Sequence, residues 1–357
     1  MESSFLPVSL RRLLVRLLTH GEAGVIGATI VLVTVFFLAQ QAFLSTANMR
    51  SILTAVSYLG IIAVGQTILL VCGEFDLSVG SVAGLSAIVA ADAMTRFALP
   101  IPLAILLGIL VGAAIGLING LVVVRLKIPA FIQTLGMLFI AHGLTQVITN
   151  GAPIYPLPSG ITEFGQAEVI AGLGWSFIFF AVLALLGDAF LRFTAPGRNC
   201  YAVGGNDQVA RLVGINVGRY KVSAFILTGA LAAAAGIFVM ANLGSGSTAI
   251  GTGWELLVIA GVVVGGVSLF GGVGTVIGGV TGILLLQVVQ SGLVVVGVSP
   301  NWQTVAVGLI MVAAVGIDVA RRRIVITDAS PPLPAVSGHT DPGLTQGGEA
   351  AATQRIV

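Results

Sequence analysis

Charge is what this sequence has least of. Sixteen Lys and Arg with 14 Asp and Glu make up 8% of 357 residues, where a soluble domain carries roughly a quarter. A nucleic-acid binder would need clustered cations against phosphate, and a disordered chain high charge with few apolar residues, so both classes are excluded. Only two lysines occur, Lys127 after Leu126 and Lys221 after Tyr220. A P-loop needs Lys between Gly and Ser or Thr, so the chain has no such device for holding nucleotide. Cysteine is equally scarce. Cys72 lies in an apolar run and Cys200 in a polar segment, neither at a metal-ligand spacing, and no structural disulfide is expected. No Ser/His/Asp set, metal-ligand cluster or cofactor motif is visible. No catalytic residue, bound metal or cofactor is therefore expected of this chain.

What is present is apolar: 57% hydrophobic residues before any of the 48 glycines is counted, and a mean hydropathy of +1.07. That surface exceeds what soluble cores of this length could bury. The fold class is an all-α polytopic membrane protein. A spanning helix needs about 20 apolar residues. Charge-free runs predict spans near 24–44, 51–72, 77–95, 98–123, 129–149, 169–191 and 222–243. Residues 256 to 317 then hold no charge at all, which is room for three more, broken at SLFGGVG (268–274) and GVSP (297–300). The first run lacks a small-residue cleavage site and reads as a retained span. Ten spans result.

An even count puts both termini on one side. Arg11, Arg12, Arg16, Arg125, Lys127, Arg192, Arg198, Arg211, Arg219, Lys221, Arg321, Arg322, Arg323 and Arg355 then share it, which is 14 of 16 cations. Only Arg50 and Arg96 fall opposite, with Glu163 and Glu168. Cations collect in cytoplasmic loops, so the termini are expected in the cytoplasm. Residues 1–323 read as one transmembrane domain. Residues 324–357, with four prolines and no apolar period, read as a disordered cytoplasmic tail.

The chain repeats itself. NGLVVVRLKIPAFIQTL (119–135) returns as SGLVVVGVSPNWQTV (291–305), sharing the order Gly, Pro and Gln-Thr, and FDLSV (75–79) weakly matches WELLV (254–258). On the ten-span topology the first copy's turn is cytoplasmic and the second's is outside. Spans 2–5 and 7–10 are therefore an inverted repeat, a transporter architecture with its substrate route between the halves. Glycines 108, 112, 116 and 120, and again 274, 278 and 282, recur every fourth residue. That spacing lets membrane helices approach closely and marks packing.

Two motifs carry possible function. GEFDLSVGS (73–81) sets Glu74 and Asp76 between apolar runs, the second run only 15 residues long before Asp92. Intramembrane acids at a Gly-interrupted span point to a pathway. The plainer reading is that Asp76 or Ser78 caps the third span, with Glu255 doing the same in WELLV. The basic loop 192–221 contains a second motif, in which Asn206 or Asp207 caps a short helix that runs through Ala210, Arg211 and Leu212 to Val213 and ends at Gly214. A short helix outside the bilayer suits docking to a partner, with Ala210 expected on the docking face, although an ordinary topogenic loop has the same composition.

GEFDLSVGS (73–81), GLINGLVVVRLKIPAFIQTLG (116–136), NGAPI (150–154), YAVGGNDQVARLVGINVGRYK (201–221), GTGWELLVIAGVVVGGVSLFGGVGT (251–275) and GVSPNWQ (297–303) together resemble the permease subunits of bacterial ABC importers for monosaccharides. These belong to the ribose, xylose and galactose type within the branched-chain amino-acid permease superfamily. The resemblance covers about residues 45 to 323. It implies an inner-membrane permease dimer, of like or unlike chains, a periplasmic sugar-binding protein, and a cytoplasmic ATPase that holds the ATP and Mg. It also implies that residues 201–221 contain the coupling helix received by that ATPase. Uncharged hydrogen-bonding residues inside spans, Gln66, Asn119, Asn242, Gln287 and Gln290, together with His142 and Gln146, are the candidates for the sugar route. Helix–helix hydrogen bonding is their plainer role. The competing class is a secondary transporter of a small polar solute driven by an ion gradient, which inverted repeats also permit.

Overall fold

The computed structural model describes residues 21–299, and beyond them 301–303, 305–310, 312, 313 and 316. The N-terminal arginines, Arg321–Arg323 and the expected tail 324–357 lie outside the described residues. Twelve α-helices run from Gly21 to Val295: α1 Gly21–Ala39, α2 Thr46–Val71, α3 Val79–Thr95, α4 Ile101–Arg125, α5 Ala130–Thr149, α6 Ser159–Gln166, α7 Trp175–Phe193, α8 Ala195–Gly205, α9 Asp207–Leu212, α10 Val217–Leu243, α11 Trp254–Val264 and α12 Val276–Val295. Among the described residues, extended pairing is confined to two single bridges, Ile154 with Gly246 and Ile170 with Leu173. Six helices, α2, α4, α5, α7, α10 and α12, are long and apolar enough to cross a membrane, and α1, α3 and α11 are shorter apolar helices.

Burial sorts these helices. In α2 every residue from Leu59 to Val71 is buried, because α2 and α10 are packed on all sides. By contrast α4 exposes Leu103, Leu106 and Leu110, α5 exposes Phe139, Ile140 and Val147, and α7 exposes Val182, Leu185 and Leu186. Large aliphatic residues on an outer surface suit contact with lipid rather than water.

The packing repeats as the sequence does. The glycine stripe of α4 lies on α10: a Cβ on Gly112 would strike the Gly229 carbonyl, and one on Gly229 the Gly112 carbonyl. In the second half, α12 packs on α2 and α11, with Gly279 against Thr67 and Gly282 against the Gly261 backbone. Exchanging α2–α4 for α10–α12 maps one set of contacts onto the other.

Segments between helices gather at two ends. At one, Gly73 meets Gly204, Gly204 and Gly205 meet Gly271 and Gly272, and Tyr201 Oη donates to the Gly274 carbonyl at 2.7 Å. At the other, Arg50 pairs with Glu168 at 3.0 Å, Ile154 bridges Gly246, and Ser291 donates to Asn48 at 2.8 Å. The 126–129 turn lies at the first end, beside Asp207 and Lys221. The end of α12, which precedes GVSP, lies at the second.

Several boundaries differ from the sequence reading, the first span ending at Ala39 rather than 44. Span six starts at Trp175 rather than 169, after a turn with Gly172 at φ +79°. The seventh starts at Val217 rather than 222, so Arg219 and Lys221 stand on a helix and not in a loop. Span eight is the larger surprise. Its helix, α11, has 11 residues, about 16 Å at 1.5 Å per residue, which is half a crossing. The chain before it, from Gly246 to Gly253, runs beside α3 mostly as successive turns: Gly246 lies against Ala91, Ile250 against Gly84 and Gly251 against Gly80. Gly80 and Gly251 touch backbone to backbone, with no room for a Cβ on either. Short helices α3 and α11 occupy corresponding places in the two halves, the discontinuity that transporter halves show at their interface.

Candidate functional site

GEFDLSVGS is three devices in a row. Gly73, at φ +84°, ends α2: its N–H bonds the Leu70 carbonyl and the Glu74 N–H the Leu69 carbonyl, the Schellman pattern that satisfies orphan carbonyls. The Glu74 carboxylate pairs with Lys221 Nζ at 2.6 Å, across 147 residues of sequence. Asp76, 1% exposed, accepts from the Ser78 N–H at 2.7 Å, the Ser78 hydroxyl at 2.6 Å and Asn119 Nδ2 at 3.2 Å. The expected cap at α3 is not made: Asp76 accepts from the N–H of Ser78, the residue before the helix, and among the described residues no side chain accepts from a first-turn N–H of α3. Ser78 donates to that carboxylate and makes no side-chain cap of its own. Asn119 also donates to Ser78 Oγ at 3.1 Å and accepts from Gln133 Nε2 at 3.1 Å. Glu255 sits in the first turn of α11, behind Gly253 at φ +78°, where an acid complements the positive helix terminus.

The segment 192–221 holds two helices where one was expected. α8 begins with Thr194, whose hydroxyl accepts from the Gly197 N–H at 3.0 Å, and with Pro in its first turn. Thr-Ala-Pro was a legible start signal that the surrounding polar residues hid. α9 spans Asp207–Leu212. Its cap is Asn206, whose Oδ1 accepts from the Gln208 and Val209 N–H groups. Asp207 instead faces Arg211 at 3.6 Å. A second Schellman closure ends α9: the Gly214 N–H bonds the Arg211 carbonyl, the Ile215 N–H the Ala210 carbonyl, and Gly214 has φ +84°. One expectation is corrected. Ala210 is 2% exposed and packed into the core, so it cannot belong to a docking face. The outward side of α9 carries Val209, Leu212 and Val213, at 53%, 87% and 70% exposure. A cavity of about 500 Å³ separates α9, at Asp207, Gln208 and Arg211, from the α4–α5 turn at Val123, Lys127 and Pro129.

The structure separates the pathway candidates. Asn119 is fully buried within the Asp76 cluster. Asn242 Nδ2 donates to the Gly165 carbonyl at 3.3 Å, anchoring the α6 end to α10. Gln287 Nε2 donates to Gln290 Oε1 at 3.2 Å. Gln66 is fully buried, and neither end of its amide has a protein partner. His142 and Gly143 are exposed in the middle of α5.

Residues 48–315 match the family model of the permease component of branched-chain amino acid transport systems. The chain belongs to this family. The permease is 36% identical over 315 residues to the galactose/methyl galactoside import permease protein MglC of Escherichia coli K12, covering 83% of this chain and 94% of that one. It is 36% identical over 299 residues to the ribose import permease protein RbsC of Haemophilus influenzae, covering 82% and 91%. To the xylose transport system permease protein XylH of E. coli K12 it is 32% identical over 358 residues, covering 83% and 91%. No solved structure matches it. The permease is a multi-pass protein of the inner membrane and a transport component. Among the described residues no group of three His, Cys, Asp or Glu is placed to hold a metal.

Sequence reasoning missed two polar groups of this permease. Lys221 was read as a loop cation, and nothing local announces its pairing with Glu74. Asp188, 6% exposed, accepts from the Ile277 N–H at 3.3 Å at the start of α12 and pairs with Arg192 at 2.6 Å. The i, i+4 spacing of that pair was the available signal.

Proposed function

We propose that this permease is the membrane-spanning part of an ABC importer. It passes a monosaccharide from a periplasmic binding protein to the cytoplasm, driven by a separate ATPase that carries the ATP and Mg. The observation that carries this reading is the near-full-length match to three relatives named for galactose, ribose and xylose import. A hexose and two pentoses share only the monosaccharide class. The exposed apolar face of α9 supports a cytoplasmic partner. Among nine described cations, seven (Arg125, Lys127, Arg192, Arg198, Arg211, Arg219 and Lys221) lie at or beside the α8–α9 end, which supports placing it in the cytoplasm. With a tenth span after residue 300, both termini join it there. Cysteines placed at 155–165 should then label from the periplasm, and those at 209–213 only from the cytoplasm. Periplasmic labelling at 209–213 would overturn the orientation.

A second permease covers α5. An imidazole and glycines at mid-helix are poorly placed against lipid, and neither Gly136 nor Gly143 has any neighbour within 4 Å of a Cβ position. For sugar hydroxyls we retain Gln66, whose amide has no protein partner; Asn119 and Asn242 are committed to other protein groups, and Gln287 and Gln290 to each other. Removing an unpartnered buried amide relieves a desolvation penalty of about 1–3 kcal/mol. Gln66→Leu should therefore leave thermal stability unchanged or raised while uptake falls several-fold. Normal uptake would make Gln66 a packing residue.

Reconstitution tests the function itself. Liposomes holding permease and ATPase should take up sugar only with ATP and loaded binding protein, and the permease alone should hydrolyse no ATP. Uptake by the permease alone under a proton or sodium gradient would overturn the importer reading.

A further inference from the structure

Helix α9 does not pack closely on α5, although Ala130 at the start of α5 lines the same cavity as α9. Helix α9 packs on α8 and on the start of α10, and the 500 Å³ cavity keeps it off the α4–α5 turn. A push on α9 cannot reach α5 by direct packing. One line of short polar contacts does bridge the gap. Lys221 stands in the second turn of α10 and holds Glu74 at 2.6 Å, both side chains mostly buried at 17% and 16% exposure. Glu74 and Asp76 belong to one turn, locked at its start by the Schellman bonds of Gly73 and Glu74 and at its end by Asp76 and Ser78. Asp76 then holds Asn119 of α4 at 3.2 Å, and Asn119 holds Gln133 in the first turn of α5 at 3.1 Å.

We infer that Lys221, Glu74, Asp76, Asn119 and Gln133 form a mechanical link that carries movement of the coupling segment to α5. The inference rests on the importer reading. These are positioning residues and not a sugar site, because Asp76 and Asn119 are buried to within 1% and their polar atoms already have protein partners. The link is stiff for an electrostatic reason. Asp76 has no ion-pair partner among the described residues, so its buried carboxylate depends on the donors from Ser78 and Asn119. Separating any of them leaves a polar group unpaired away from water. The turn therefore moves as a unit with α4, and Gln133 passes that movement to the helix proposed to face the second permease.

The test uses the complete assembly in liposomes, with Lys221→Met, Gln133→Met and the double variant. Each single change should lower the stimulation of ATP hydrolysis by loaded binding protein, and the sugar carried per ATP, by roughly tenfold, within the usual range of coupling between sites. The ATPase should still co-purify; Tm should fall for Lys221→Met, which leaves the Glu74 carboxylate without its partner, and recover in a charge swap with Glu74. Residues 133 and 221 do not touch, so independent structural defects would multiply. On one link the double variant is no worse than either single. The charge swap Glu74→Lys with Lys221→Glu should restore coupling, and it also serves if Gln133→Met fails to assemble. Multiplying defects, unchanged stimulation, or an uncoupled swap variant that still assembles would each overturn the link while leaving the importer reading in place. An unchanged assembly that shows no ATP-driven uptake would overturn both.

Discussion

Leu212→Asp should release the ATPase. At 87% exposure Leu212 touches almost nothing within the permease, so the folded protein has no reason to change. On a docked surface the same side chain is buried, which contributes about 1.5–3 kcal/mol. A carboxylate carried into an apolar groove adds a desolvation cost. Together these reach ~3 kcal/mol, roughly a hundredfold in affinity. Co-purification and titration of the ATPase onto the permease measure it, and unchanged association would remove α9 from the interface. Neighbouring changes should behave differently. Gly214→Val forces a β-branched residue to φ +84°, a strain of about 1–2 kcal/mol, although its Cβ would meet nothing within 4 Å. It should weaken coupling by fraying the end of α9 and leave the spans intact. Ala210→Trp, placed on a buried position, should lower the yield of folded protein instead. Arg211→Ala should have little effect, since the exposed pair with Asp207 contributes well under 1 kcal/mol.

Gly229→Leu should prevent the bundle from forming. A Cβ at Gly229 would overlap the carbonyl of Gly112, and one at Gly112 the carbonyl of Gly229. Side chains yield to overpacking by changing rotamer, at a cost of about 1–3 kcal/mol. A backbone carbonyl in a helix has no such freedom, so α4 and α10 must part. Parting them also loosens Gly116 from Phe225 and Gly120 from Val222. The expected cost exceeds about 3 kcal/mol, seen as loss of monodisperse protein after detergent extraction. Gly136→Leu and Gly143→Leu are the controls, because both Cβ positions are open. They should spare the fold of one chain and disturb only its pairing with a second permease. Equal losses at 136 and 229 would show that backbone contact is not what decides.

Much of this was legible in the sequence because water and lipid judge residues one at a time. Scarce charge required a membrane, the cations sorted the ends, and the four-residue glycine spacing announced close packing on α4, though not that α10 is the partner. Asn206 and Gly214 marked α9 because caps are made within a few residues of themselves. Which face of α9 points outward was not legible. A six-residue helix carries too little pattern, and burial of Ala210 is set by the helices beneath it.

Tertiary structure alone decided the rest. Residues 246–253, which the predicted spans leave as a connection, are drawn along α3 because Gly80 and Gly251 meet backbone to backbone where neither has a side chain, a contact between residues far apart in sequence. The pairing of Glu74 with Lys221 spans 147 residues, and that of Asp76 with Asn119 spans 43. A buried charge must find its partners wherever the fold brings them. The sequence therefore determined which residues must avoid lipid, and the packing of helices determined which polar groups meet when they do.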